Sequence, residues 1–428
     1  MRRRRWLVVL VLIVVAGGAA VWPLRSSLFS QGRRDAVPAA LVETAEVSGF
    51  GKIRYWGDEL TPQFRQSVTE LYEQIKHNAD AKVGPNFLRE ANFIAISGGG
   101  DNGAFAAGLM KGWTERGDRP VFEAVTGVST GALAAPFVFL GPDHDRDLAD
   151  IYLNATSSEL YASRGLYGLL GSSLESTAPL EALIRHYATD AFLDEVATQS
   201  RLGRRLLVAT TDLDAERPII WDLTAVAASG RPDRRELFVK VLLASSAIPG
   251  IFPPVEFQVR GEDGRTYSEL HVDGGVTAEV IFVPPEAQLA ELENKVFGQT
   301  RKRTLWIVRN GKLAPEYAPA RDKMFALASR AVLTMVKYQV LSNLRILARE
   351  MAEGQASFFY QAIPPAFSLI HESAFDRTYA RALFECGIQV GRYGTWSTEV
   401  PMSPVLVPHG PSTPPSETND TIEKACRS

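Results

Sequence analysis

Thr126-Gly127-Val128-Ser129-Thr130-Gly131-Ala132 sets a serine between two glycines directly after the apolar run Val121-Phe122-Glu123-Ala124-Val125. A serine acting as a nucleophile needs its hydroxyl at the apex of a tight strand-to-helix turn. Glycines on either side allow strand and helix to approach closely enough to make one. The helix-compatible Ala132-Leu133-Ala134-Ala135 follows at once. In a chain of 34 glycines the same pattern also fits an ordinary glycine-rich turn, so the remaining chemistry has to discriminate.

A second constellation is Gly98-Gly99-Gly100-Asp101-Asn102-Gly103, which follows the short apolar run Asn92 to Ser97 and opens a helix from Ala104 to Arg116. Such a turn aims several backbone N–H groups at one point and favours an anion there, either a phosphate or the oxyanion of an acyl-transfer intermediate. A dinucleotide site calls for an acidic residue about twenty positions on. Glu123 falls there, but within the run that feeds the serine turn. A P-loop is excluded by the missing Gly-Lys-Ser/Thr, which leaves an oxyanion hole as the better reading.

For the general base, six histidines are present: His77, His144, His186, His271, His371 and His409. In the order Ser, then Asp or Glu, then His, the candidates are His371 and His409, with His409 set in a Pro-rich tail. His144 and His186 read as surface residues. His271 stands two before Asp273 on an apparent strand and stays open by face-sharing. Asp273 is the better candidate. It ends the run Tyr267 to Val272, and Gly274-Gly275 beside it lets a serine or substrate come close. An aspartate with an ordinary pKa of ~3.9 is ionised at neutral pH and takes a hydroxyl proton only within hydrogen-bond reach. Asp212 and Asp214 read as a strand-end turn rather than a metal pair, and no metal or organic cofactor is expected.

Positioning these groups requires strand, glycine turn, helix, strand, serine turn and helix in that order, the opening of an α/β protein with a mostly parallel sheet. Further strands are expected at Arg205 to Thr210 and Arg303 to Val308, and a helix at Glu236 to Ser246. Upstream, Thr61 as N-cap with Pro62 at the first helical position starts a helix whose face is Phe64, Val68, Leu71, Tyr72 and Ile75. From Tyr317 to about Glu353 a long helix is expected to bury Met324, Leu327, Ala331, Met335, Tyr338, Leu341 and Leu344. Leu166-Tyr167-Gly168-Leu169-Leu170-Gly171 reads equally as core or as the mouth of an acyl pocket.

Three motifs in this order, Gly98 to Gly103, Gly127 to Gly131 and Asp273-Gly274-Gly275, resemble those of the patatin-like phospholipase family. Ala244-Ser245-Ser246-Ala247-Ile248-Pro249 resembles the family's segment before its aspartate. The likeness covers roughly residues 90 to 400. It implies a three-layer α/β/α domain and a histidine-free Ser-Asp dyad acting on acyl esters of lipids. Ser129 would be the nucleophile, Asp273 the base, and the N–H groups of Gly99 and Gly100 the oxyanion hole. Where family members often carry a basic residue in the glycine motif this chain has Asn102, which favours neutral glycerolipids or simple esters over phosphate headgroups. The rival readings are a hydrolase with a Ser-Asp-His triad and a silent lipid-binding module.

The net charge of −3, from 46 Lys and Arg against 49 Asp and Glu, gives no footprint for nucleic acid. Arg2-Arg3-Arg4-Arg5 precedes an uncharged run from Trp6 to Leu24, and a spanning helix needs about 20 apolar residues. The arginines would stay cytoplasmic and send the rest across, which makes the expected localisation a membrane-anchored, extracytoplasmic one. An uncleaved anchor is favoured over signal-peptidase cleavage at Ala16 to Ala20 and secretion. Cys386 and Cys426 are expected as a buried and a free thiol, with pairing in an oxidising compartment as the alternative. The resulting division is 1–25 anchor or signal, 26–90 lead-in, 91–400 catalytic domain and 401–428 disordered tail.

Overall fold

The computed structural model describes residues 34–154, 162–163, 175–282, 288–317, 319–320, 322–370, 376–402 and 417–427. The expected anchor, the segment 166–171, His371 and His409 lie outside these residues. In chain order the strands are β1 (Glu46–Val47), β2 (Arg54–Trp56), β3 (Glu90–Ile96), β4 (Ala124–Gly127), β5 (Ala162–Ser163), β6 (Glu175–Ser176), β7 (Arg205–Asp212), β8 (Arg217–Asp222), β9 (Val255–Arg260), β10 (Thr266–Asp273), β11 (Lys302–Arg309) and β12 (Ser357–Ala362). The chain divides into two compact units, Met1–Ser48 with Phe257–Glu269, and Gly49–Glu256 with Leu270–Ser428. In the smaller one, β1 pairs antiparallel with β9, Glu46 opposite Arg260, around Ala45, Val259 and Tyr267.

The larger unit holds the site. Its sheet runs from the end of β10 through β7, β4, β3 and β11 to β12. The five strands from β7 to β12 are parallel to one another, while β10 and β8 are antiparallel to β7. The fold is thus α/β with a mixed, largely parallel sheet flanked by helices, as the alternation of apolar runs and helical patterns requires. The register of β7 explains why two strand ends meet. One edge carries β8 from Leu207 to Asp212. The other pairs with β4 up to Gly127, opposite Val208, and then with β10 from Asp273, opposite Thr210. Two residues along a strand is about 7 Å. The end of parallel β4 and the end of antiparallel β10 therefore face one another across a short gap.

Helices cover the sheet largely as their periodicity requires. The helix Pro62–Asp80 is capped by Thr61, whose Oγ1 accepts the Phe64 N–H at 3.1 Å, and it buries Phe64, Val68, Leu71, Tyr72 and Ile75. Helices Gly103–Arg116 and Arg234–Ser245 fall where expected. Gly103–Arg116 lies against Arg377–Tyr393 so closely that a Cβ on Gly108 would stand 2.0 Å from the Phe384 carbonyl oxygen.

Two expectations are corrected. The long helix begins at Met324, not Tyr317. It buries Leu341 and Leu344, together with Val340 and Leu347, against β3, β11 and β12, while Leu327, Ala331, Met335 and Tyr338 are exposed. Thirty helical residues span about 45 Å whereas an eight-residue strand spans about 26 Å, so the first turns outrun the sheet they would cover.

In the tail, Glu417–Cys426 is a helix, and Cys426 is disulfide-bonded to Cys386. Tertiary packing brings the two Cα atoms to 4.7 Å, which spacing in the sequence could not reveal. A bridge across 40 residues removes about 3–4 kcal/mol of denatured-chain entropy. Cys426→Ser is therefore expected to lower the thermal midpoint by several degrees. A melt matching that of the wild type under non-reducing conditions would contradict this.

Candidate active site

Ser129 is the residue before the helix Thr130–Leu140 and adopts φ 54° and ψ −125°. A left-handed φ on a non-glycine residue costs on the order of 1–3 kcal/mol and persists only where the surroundings fix it. Here the Ser129 N–H donates to Ser245 Oγ at 3.0 Å, the Val128 N–H to the Ile96 carbonyl at 3.2 Å, and the Ser129 carbonyl accepts from Ala132 at 2.9 Å. Both flanking glycines are steric necessities. A Cβ on Gly127 would lie 2.4 Å from the Gly131 oxygen, and one on Gly131 would lie 2.2 Å from the Ile96 oxygen.

Asp273 reaches the same place from β10. Its N–H donates to the Ala247 carbonyl at 3.0 Å, and its Oδ1 accepts the Gly275 N–H at 2.8 Å. The Ser129 side chain is near enough to the Asp273 carboxylate to lower its pKa. Only 5% of the side chain is exposed, and burial pushes its pKa up to about 7. The Ser129 side chain and the Gly275 N–H oppose that shift, while the charge of Glu279 adds to it. A carboxylate so placed is a much stronger base than an exposed one and is still ionised in a large fraction at neutral pH.

The glycine loop lies against the serine. Gly98 packs on it so that an added Cβ would stand 3.2 Å from Ser129 Cβ. Ser97 Oγ donates to the Gly98 carbonyl at 2.7 Å and accepts from Arg309 Nη1 at 3.1 Å and the Asn310 N–H at 2.9 Å. Asn310 Nδ2 donates to the Ser97 carbonyl at 2.9 Å, and its Oδ1 accepts from Ala106 N–H at 3.2 Å. Held this way, the N–H groups of Gly99 and Gly100 carry no hydrogen bond among the described residues. They are open donors ahead of the helix that starts at Gly103, where the dipole also favours negative charge. Asn102 is fixed from the far side by Tyr379, whose hydroxyl donates to its Oδ1 at 2.6 Å.

Glu279 was not legible as part of this group. Arg309 Nη1 donates to its Oε2 at 3.0 Å and to the Gly98 carbonyl at 2.9 Å. Oε1 lies 2.7 Å from where a Cβ on Gly275 would stand, and Oε2 lies 2.6 Å from the corresponding point on Gly98. The carboxylate is thus wedged between the Asp273 turn and the glycine loop. Burial pushes its pKa up and Arg309 pulls it down, with burial prevailing. Glu279→Gln removes the negative charge facing Asp273 and leaves that of Arg309. The acid limb of the pH–kcat profile is expected to move down by roughly one unit. A lower kcat with the limb unmoved would mean that Glu279 acts only as scaffold.

The four histidines among the described residues are placed elsewhere. His271 is fully buried, with Nδ1 2.8 Å from Thr210 Oγ1, which also accepts from Trp221 Nε1 at 2.8 Å. His144 sits 2.9 Å from Glu195 and 3.3 Å from Asp147, and His186 and His77 are exposed. Among the described residues, the groups acting on the Asp273 carboxylate are Ser129, Gly275 and the charge of Glu279, and none is an imidazole. Asp212 Oδ1 accepts the N–H groups of Asp214 and Ala215 at 3.0 and 3.3 Å, the strand-end turn expected of it. Glu123 is wholly buried and bonded to Arg301 at 2.5 and 3.1 Å, which assigns it to the core.

Residues 94–284 match the family model described as patatin-like phospholipase. No protein of curated function matches the chain by sequence. Among solved structures the chain is similar to VipD from Legionella pneumophila, at 11% identity over 70% of this chain and 67% of that one, with a TM-score of 0.33. It is also similar to human GIVD cytosolic phospholipase A2, at 10% identity and a TM-score of 0.28, over 75% of this chain and 53% of that one, about half its length. The matched segment contains Ser129, Asp273 and the whole glycine loop, and over these residues the chain is similar to the patatin-like phospholipases, which are carboxylic ester hydrolases.

Proposed function

We propose that the protein is a lipid acyl hydrolase working through a Ser129–Asp273 dyad within a catalytic domain spanning about residues 91–400. The observation that carries this reading is a serine held on a strained strand-to-helix turn whose side chain acts on a buried carboxylate with its pKa raised to about 7. In acylation, Ser129 Oγ attacks the ester carbonyl as Asp273 takes its proton, and the N–H groups of Gly99 and Gly100 receive the developing oxyanion. Collapse breaks the ester C–O bond, and the Asp273 proton passes to the departing alcohol. A water then gives its proton to Asp273 as it attacks the acyl-Ser129 carbonyl. Release of the acid returns that proton to Ser129 Oγ.

Mass spectrometry of lipid extracts incubated with wild type and Ser129→Ala tests the substrate class. Free fatty acids and lyso-lipids are expected with the wild type alone, and identical extracts would remove the lipase reading. Gly99→Ala tests the oxyanion role. Its Cβ would stand 2.1 Å from the Asn310 carbonyl oxygen, so the loop must shift. Turnover is expected to fall by about 10²–10³-fold, the usual effect of losing one oxyanion donor. Unchanged turnover would refute the assignment.

We further propose that the arginine-led segment Trp6–Leu24 tethers this domain on the extracytoplasmic side of a membrane. The Cys386–Cys426 disulfide supports export, because such bonds persist in oxidising compartments. Among the described residues no helix is long and apolar enough to cross a membrane. An alkaline phosphatase fused after Ser428 is expected to be active, and a fusion active only with a cytoplasmic reporter would overturn the topology.

A further inference from the structure

The long helix Met324–Glu353 presents an apolar surface beside the site that is not covered among the described residues. Leu327, Val332, Leu333, Met335 and Tyr338 are all exposed, Leu333 at 60% and Met335 at 71%. Residues 331–335 are exposed without interruption, so this is a helix end standing clear of the body rather than one stray side chain. A helix apolar on most sides is normally covered, and an exposed apolar patch of this kind marks an interaction surface.

Its position ties it to the chemistry. Gln339 Nε2 donates to the Thr277 carbonyl at 2.9 Å, four residues after Asp273, and Val276 in the same turn is itself exposed. The apolar half of the helix therefore starts at the turn that follows the candidate base and runs outward from it.

Charge selects the occupant. Within residues 326–338 the charged side chains are Arg330 and Lys337, with no carboxylate. The acid that faces this stretch, Glu316, is held by both Lys312 and Lys337. Two copies packed face to face would bring like charges together. A bilayer with anionic headgroups instead takes apolar side chains below and cations at its surface, with Tyr338 suited to the boundary.

We propose that residues 326–338 are a docking surface for an anionic lipid bilayer and bring the 273–277 turn to the lipid. This rests on the lipid-hydrolase reading above. It adds a second, folded contact with the membrane, distinct from the N-terminal segment.

The test is hydrogen exchange on the full chain with and without vesicles, either phosphatidylglycerol-containing or of phosphatidylcholine alone. It is paired with hydrolysis of vesicle lipid and of a short, soluble ester. Phosphatidylglycerol vesicles are expected to slow exchange across 326–338, and pure phosphatidylcholine vesicles are not. The double variant Leu333→Glu/Met335→Glu is expected to lose that protection and at least tenfold of vesicle hydrolysis, with soluble-ester turnover unchanged. Exchange indifferent to vesicles overturns the proposal. So does protection that grows with protein concentration without lipid, which marks a second copy, or protection already complete at every dilution, which marks a covering segment of this chain. Vesicle protection in a wild type that turns over no ester would sustain the docking surface and refute the hydrolase reading instead.

Discussion

Ser129→Ala is expected to lower ester turnover at least about 10³-fold, as removal of an acyl-accepting serine does in other serine hydrolases. The fold is expected to survive. The backbone bonds that hold the turn, from Ser129 N–H to Ser245 Oγ and from Ala132 N–H to the Ser129 carbonyl, do not use the hydroxyl. Alanine meets the same positive φ, so the strain is unchanged. The thermal midpoint should stay within a few degrees while turnover collapses, and the two are measured on one preparation. Retention of a tenth or more of wild-type turnover would show that the elbow serine is not the acyl acceptor.

Asp273→Asn is expected to abolish turnover and, at alkaline pH, to make the protein more stable. The sign follows from the direction of the shift. The folded carboxyl has its pKa raised from 3.8 to about 7, chiefly by burial, so the folded state binds this proton more tightly than the unfolded chain does. That contribution is fully present below pH ~4 and is lost as pH rises through about 7, where a buried charge must be carried. A shift of this size is worth on the order of 1–4 kcal/mol. Asparagine carries no such charge, so the variant should melt above the wild type at pH 8 and level with it near pH 4. In the wild type, kcat should climb through about pH 7 as the base ionises. Parallel melting curves for the two proteins across this range would mean that Asp273 is not held at a raised pKa, and with it would go the account of its basicity.

Features set by local chemistry were legible in the sequence. The Thr61 cap, the apolar runs of β3, β7 and β11, and the two motifs that place Ser129 and Asp273 all depend on neighbours a few residues away. What was not legible depends on residues far apart in the chain. Ser245 lies 116 positions from Ser129, and Arg309 lies 211 from Gly98. Neither type at either place carries a spacing cue. His271 shows the limit of period-two reasoning. Placement on the strand of Asp273 left it open as a base, yet Thr210 and Trp221 on neighbouring strands hold it in the core. The exposed half of the long helix was hidden for a related reason. Apolar spacing reports which way a helix faces, but not how far the sheet beneath it extends.

The central claim is that hydrolysis passes through an ester of Ser129. It is tested most directly by mixing the protein with a short-chain acyl ester, quenching in acid within the first turnovers and mapping peptides by mass spectrometry. The account predicts an acyl mass increment on the peptide containing Ser129, absent from Ser129→Ala and forming faster as pH rises through about 7 and Asp273 ionises. An acyl group on another residue, or turnover with no acylated peptide at any quench time or pH, would contradict it.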